Sequence, residues 1–129
     1  MEEIEMKLYE ILAIQGFYNL IKDAKLPIKT TYKLARLMRR VEEEAQFYQT
    51  EFAKIVDEYA LRENGQLVYS EDMASIKIIE GKENECNSKI IELKNLEIDM
   101  SEFSFSIDEF DKLELSITDM YGILPLIND

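Results

Sequence analysis

The sequence predicts an α+β fold, mainly helical, forming a single domain over residues 1–129, and three observations carry that prediction. Residues 28–62 contain no glycine or proline, and Leu34, Met38, Val41, Ala45, Tyr48, Phe52, Ile55 and Tyr59 recur along them at alternating spacings of 4 and 3. That is the seam of a helix packed along its length. Leu96-Glu97-Ile98-Asp99-Met100 and Phe103-Ser104-Phe105-Ser106-Ile107 alternate apolar and polar residues, as half-buried strands do. No Gly/Ser-rich or Pro-rich tract divides the chain, so nothing marks a linker.

Residues 9–23 are expected to form the first helix, with Leu8, Ile11, Leu12, Phe17 or Tyr18, Leu20 and Ile21 as its apolar stripe. Gly16 costs such a helix roughly 1 kcal/mol against alanine, unless it serves to let a second helix come close. Ala24-Lys25-Leu26-Pro27 is a short connector, which predicts an N-terminal antiparallel helical hairpin with Pro27 in the turn or at the first helical position. The long helix that follows (about 28–62) would measure about 50 Å. A compact domain of this length is only about 36 Å across, so the helix bends, projects or leans on another chain. The first helix reaches only half of it. Tyr48, Phe52, Ile55 and Tyr59 therefore need cover from the C-terminal part of the chain or from a second chain. Ala45 leaves a gap in the seam, and Leu37, Phe47 and Val56 lie outside it. This breadth favours packing within the fold plus an oligomer contact over a bare two-stranded coil.

Glu63-Asn64-Gly65 ends the helix, because Asn-Gly supplies the positive φ of a helix cap or tight turn. Residues 66–69 and 76–79 read as short strands joined by the polar residues 70–75, although Ser-Glu-Asp-Met there also suits a helical turn. With residues 96–107 they make a small antiparallel β element (66–79, 96–107). Residues 82–95 return to helical spacing, with Cys86, Ile90, Leu93 and Ile91 on the apolar side. Ser101-Glu102 shifts the phase between the two alternating runs, which calls for a bulge or turn. Short C-terminal helices complete the prediction: one turn over 108–113, then a helix capped by Thr118 and stopped by Pro125. Residues 124–127 are too apolar to dangle, so they should tuck against the core.

Composition excludes more than it assigns. With one cysteine, Cys86, and no histidine, neither an internal disulfide nor the usual zinc sets can form, and the commonest general base is missing. An acidic N-terminus, Met1-Glu2-Glu3-Ile4-Glu5, and the lack of a long apolar run predict a cytoplasmic protein with no membrane partner. The net charge of -12 is uneven: residues 1–41 hold eight Lys/Arg against five Asp/Glu, and residues 42–129 hold seven against 22. An acidic surface of this kind serves solubility, self-association, or docking on a basic partner.

Lys29, Lys33, Arg36 and Arg40 fall on one helical face with Arg39 beside them. They form a candidate anion or electrostatic contact, whose ordinary role is pairing with acids of this chain or a neighbour. Direct nucleic-acid binding is not expected, given the acidic remainder and a single interleaved aromatic, Tyr32. Glu42-Glu43-Glu44 point in different directions and cannot converge on one ion. Asp108, Glu109, Asp111 and Glu114 lack the glycine and register of a calcium loop. No Gly-x-Ser-x-Gly context or Gly-rich phosphate loop exists among four glycines. No catalytic residue, cofactor or metal is expected.

Leu26-Pro27-Ile28-Lys29, Tyr32-Lys33-Leu34-Ala35-Arg36, Val41-Glu42-Glu43-Glu44, Asp57-Glu58-Tyr59-Ala60 and Glu63-Asn64-Gly65 together resemble a family of short proteins of unknown function encoded by tailed phages and prophages of Gram-positive bacteria. The resemblance spans about residues 20–129 and includes the acidic strand region and a capped apolar C-terminal helix. Gly81 and the Lys/Glu/Asn run after it have no counterpart. The resemblance implies an origin and carries no catalytic residues. The expectation is a non-enzymatic protein that acts through protein–protein contacts in a bacterial host cytoplasm, as a homo-oligomer, with Tyr48, Phe52, Ile55 and Tyr59 as partner or oligomer contacts. Virion assembly and inhibition of a host protein are its two versions, the second including an acidic mimic that occupies a nucleic-acid groove of a host nuclease, polymerase or CRISPR effector. An oligomeric sponge for a nucleotide signal on the basic helix face stands as a further alternative.

Overall fold

A computed structural model describes residues 3–128 of the chain; Met1, Glu2 and Asp129 lie outside them. The fold is α+β and mainly helical. In chain order it comprises β1 (Glu5–Lys7), α1 (Leu8–Ile21), α2 (Ile28–Tyr59), β2 (Arg62–Glu63), β3 (Gln66–Leu67), α3 (Glu83–Lys94), β4 (Glu97–Asp99) and α4 (Ile117–Met120). Single 3-10 turns occupy Ile107–Phe110 and Leu124–Leu126. The described residues gather into two compact units, one of residues up to 46 with those from 96 onward and one of residues 47–95. The unbroken helix α2 contributes to both.

The first unit holds the main core. Met6, Ile11, Ile14, Phe17 and Ile21 meet Leu34, Leu37, Met38 and Val41 of α2 and Met100, Phe103, Phe105, Phe110, Ile123 and Leu126 of the C-terminal segment. Helix α1 buries Leu8, Ile11, Ile14, Phe17 and Ile21. Leu20, expected in the stripe, is 58% exposed. At about 100° per residue it is rotated off the face defined by positions 14, 17 and 21. Gly16 makes no close approach, since a Cβ there would meet nothing within 4 Å. The glycine that matters is Gly122, where a Cβ would stand 3.0 Å from the Phe17 Cβ and 3.3 Å from the Ala13 carbonyl oxygen. Gly122→Val should therefore cost about 1–3 kcal/mol by overpacking, read as a lower urea midpoint. Gly16→Ala should leave the midpoint the same or higher.

Strand β4 finds its partner at the other end of the chain. It pairs antiparallel with β1, Glu5 opposite Asp99 and Lys7 opposite Glu97. Alternation sends Met6 and Ile98 inward and the charged residues outward. The pairing continues where Met100 N–H donates to the Ile4 carbonyl at 2.8 Å, and Ile4 N–H to Ser101 Oγ at 2.8 Å. Residues 101–102 then turn, as the phase shift required. The second alternating run buries Phe103 and Phe105 but makes only the parallel bridge Phe105–Ile127, because Ile107–Phe110 winds into a 3-10 turn. Ser106 caps that turn: its N–H donates to Glu109 Oε2 at 2.8 Å, and its Oγ accepts from Asp108 N–H. The last short helix is capped by Ser116, whose Oγ accepts from Asp119 N–H at 3.1 Å, and not by Thr118 inside it. Ile123 and Leu126 are fully buried, and the terminal segment is tied by Phe105 N–H to the Leu126 carbonyl at 2.8 Å.

In the second unit α2 stops at Tyr59, three residues before the expected end. The backbone of residues 60–63 is claimed by strand pairing instead. Asn64 and Gly65 have φ of 52° and 78°, the left-handed pair of a two-residue hairpin turn between β2 and β3. Beyond Arg62–Leu67 and Glu63–Gln66 one more bond joins the strands, Val68 N–H to the Leu61 carbonyl at 3.1 Å, and then the hairpin opens and residues 76–78 enter between them. Lys77 N–H donates to the Val68 carbonyl while its own carbonyl accepts from Leu61 N–H, both at 2.8 Å. Bridges Ala60–Ile78 and Tyr69–Ile76 flank it. The expected β element is thus two separate two-stranded sheets, with residues 76–79 bound as bridges to both strands of the second.

Candidate functional site

The basic face of α2 was the first candidate. Lys33 Nζ contacts both Glu109 carboxylate oxygens at 2.8 and 3.0 Å, and the buried Thr30 hydroxyl donates to Glu109 Oε1 at 3.0 Å. Arg36 reaches Glu102 at 3.7 Å, and Arg40 reaches Glu44 at 3.1 Å and Glu102 at 3.4 Å. Lys29, one turn before Lys33, is exposed, with Ile28 and Tyr32 beside a shallow apolar depression. Arg39 joins Arg36, Arg40, Glu43, Glu102 and Phe103 around a cavity of about 310 Å³. The charge separation along the sequence is therefore not one in space, because folding returns C-terminal acids to the basic helix.

Glu109 is the best-held acid of this set. Burial opposes its ionisation, but Lys33, the Ser106 N–H and the Thr30 hydroxyl outweigh it and hold the carboxyl below its ordinary value of 4.5. A depressed folded-state value stabilises the fold above the unfolded value, and that contribution is lost as pH falls through the folded one. The urea midpoint of the natural protein should thus exceed that of Glu109→Gln at pH 7, and the gap should close as pH falls below about 4.5. Glu5 shows the opposite sign. A hydrogen bond and charge repulsion from Glu97 raise its carboxyl.

The second candidate, the aromatic seam beyond residue 46, divides. Tyr59 is buried under Lys89, whose Nζ lies 5.7 Å from the ring centre, so it packs within its own unit and presents no surface to a partner. Tyr48, Phe52 and Ile55 are half-buried, with the Tyr48 and Phe52 rings 5.7 Å apart. Cover for this stretch comes from residues 60–95, and it is thin. Of the twenty buried hydrophobic residues among the described ones, only Tyr59, Ala60, Cys86 and Leu93 belong to this unit.

What the seam did not reveal is the open space beside it. Phe52, Val56, Leu67 and Ile76 line a cavity of about 330 Å³. Phe52, Val56 and Ile76 recur in a second of about 500 Å³, completed by Tyr69, Ile78, Cys86 and Ile90. Sharing Phe52, Val56 and Ile76, the two are adjoining apolar hollows that together make a groove beside the helix. Val56 follows Phe52 by four residues on the same helical face, a spacing visible in the sequence although Val56 lies outside the heptad seam. Cys86 contributes packing: burial, then the Glu58 charge, push its thiol up, which keeps it protonated and unreactive.

Among the described residues no helix is long and apolar enough to cross a membrane, and no group of acidic or cysteine side chains is arranged to hold a metal ion. No family model matches the chain, and comparison with curated proteins and with solved structures found no significant match.

Proposed function

We propose that the protein works by holding another protein against the half-covered apolar face of its second unit, and that it catalyses no reaction. The observation that carries this reading is the groove beside Phe52 and Val56, an apolar surface that the unit's own residues leave half-covered. The resemblance of about residues 20–129 to phage and prophage proteins supports an origin there and action in the host cytoplasm. Assembly of virions and inhibition of a host protein are two uses of the same contact. A nucleotide sponge on the basic helix face draws less support, because Glu109, Glu102 and Glu44 already occupy Lys33, Arg36 and Arg40.

The test compares the natural chain with a Phe52→Glu/Val56→Glu variant whose helicity and urea midpoint are first shown to be retained. Capture from the cells that make the protein should recover a partner at least tenfold more with the natural chain. Sedimentation velocity run in parallel shows whether that partner is a second copy. Equal recovery by both chains, with both monomeric, would remove the contact reading.

A further inference from the structure

The charges of the second unit say what kind of partner the groove fits. Residues 47–95 carry ten acidic side chains against six basic ones. Four of those bases are already engaged inside the unit: Lys54 by Glu51, Arg62 by Asp57, Lys82 by Glu85 and Lys89 by Glu58. Lys77 and Lys94 remain against Glu63, Glu71, Asp72, Glu80, Glu83 and Glu92, none of which has an ion-pair partner among the described residues. Two of these acids stand next to the groove. Glu71 and Asp72 open the loop whose Ala74 and Ser75 form its wall, and Asp57, already paired with Arg62, lines it directly. That loop is held in place, with Asp72 accepting from Ala74 N–H at 3.0 Å and Ser70 N–H donating to the Ser75 carbonyl at 2.8 Å. At its tip Met73 is 69% exposed at a φ of 60°. A backbone conformation that is costly for a non-glycine residue thus displays an adaptable apolar side chain of the kind found at binding surfaces.

An apolar trough with an acidic rim selects an apolar ridge with basic flanks. A second copy of this chain offers only a small one, the single Lys29 beside the exposed Ile28 and Tyr32. Its second unit carries the same acidic excess, so two such faces repel. Its most basic surface, Lys33, Arg36 and Arg40, is engaged by its own carboxylates, and the apolar side of that helix stretch, Leu34, Leu37, Met38 and Val41, is buried in its own core. We propose that the groove takes a basic amphipathic segment of a different protein, large apolar side chains entering beside Phe52 and Val56 and Lys or Arg side chains meeting Glu71 and Asp72. This inference rests on the contact reading above and adds the chemistry of the partner.

The chain has no tryptophan, so a synthetic peptide with a single Trp reports its own burial by fluorescence. Three peptides of about 18 residues serve as probes: a Leu/Lys amphipath, the same apolar residues with Glu for Lys, and the same lysines with Ser for Leu. The Leu/Lys peptide should bind at least thirtyfold tighter than either control and lose at least tenfold in affinity between 50 mM and 500 mM salt, since rim pairs are screened. Val56→Arg, which sets a cation in the groove, should weaken it at least tenfold. Glu71→Gln/Asp72→Asn, which leaves the apolar surface intact, should weaken it at low salt only. Equal binding of the Leu/Glu and Leu/Lys peptides would overturn the basic-partner assignment while leaving the contact reading standing. So would a dimer in sedimentation that Val56→Arg dissociates. Binding of the Leu/Lys peptide unchanged by Val56→Arg would remove the groove as the site.

Discussion

Replacing Leu37 by aspartate should destroy the cooperative fold of the first unit. The side chain is 0% exposed in the stretch of α2 that faces Ile11, Phe17, Phe105 and Ile123 across a single core. An ionised carboxylate there has no partner. The cost is more than about 4 kcal/mol, a large share of the roughly 5–15 kcal/mol by which a folded domain is stable. Urea titration followed by far-UV circular dichroism should show a collapsed midpoint, while Leu37→Met, which conserves volume, should cost less than about 1.5 kcal/mol. The same aspartate at Val56, on the open face, should move the midpoint far less.

The second large effect belongs to Phe105. Its ring lies 5.5 Å from Phe110, which in turn meets Phe17 edge-on at 5.6 Å, and Lys33 Nζ sits 4.6 Å above it. Its backbone N–H and carbonyl hold Leu126 and Asn128 at 2.8 Å. Phe105→Ala should cost about 3–5 kcal/mol, because the cavity it leaves is walled by other fully buried groups. Phe105→Leu keeps most of the volume and should cost about half as much. A loss under 1 kcal/mol for Phe105→Ala would mean that the C-terminal segment is not part of this core.

The long helix was legible because its evidence is local: no breaker over residues 28–59 and a 3–4 spacing that survives aromatic residues at the seam. Long-range pairing left no such mark. The alternation of residues 96–100 announced a strand, yet nothing in it named Glu5–Lys7 as its partner, and three residues are too few for β1 to announce itself. Asn64-Gly65 was ambiguous for a physical reason, since a helix cap and a hairpin turn both require positive φ. What decided was the arrival of Lys77 to share hydrogen bonds with Leu61 and Val68. The seam read correctly as a place needing cover, but the heptad rule kept attention on Tyr48, Phe52, Ile55 and Tyr59 and away from Phe52–Val56, the i and i+4 pair that borders the groove. Tyr59 shows the limit of that rule, because helical spacing marks an apolar face without saying whose residues cover it. The same holds for charge. The basic run on α2 read as a face that pairs with acids of this chain or a neighbour, and one dimension could not name them; the fold brings Glu102 and Glu109 onto it.

The first unit buries its core, while the second leaves apolar side chains within reach of solvent and partner. Isoleucine methyl NMR in the presence of a soluble nitroxide measures that directly, with both classes in one spectrum. The account predicts strong relaxation enhancement at Ile55, Ile76, Ile78 and Ile90 and little at Ile11, Ile14, Ile21 and Ile123. Equal protection of both sets would mean that the chain closes its own groove, and would contradict the account.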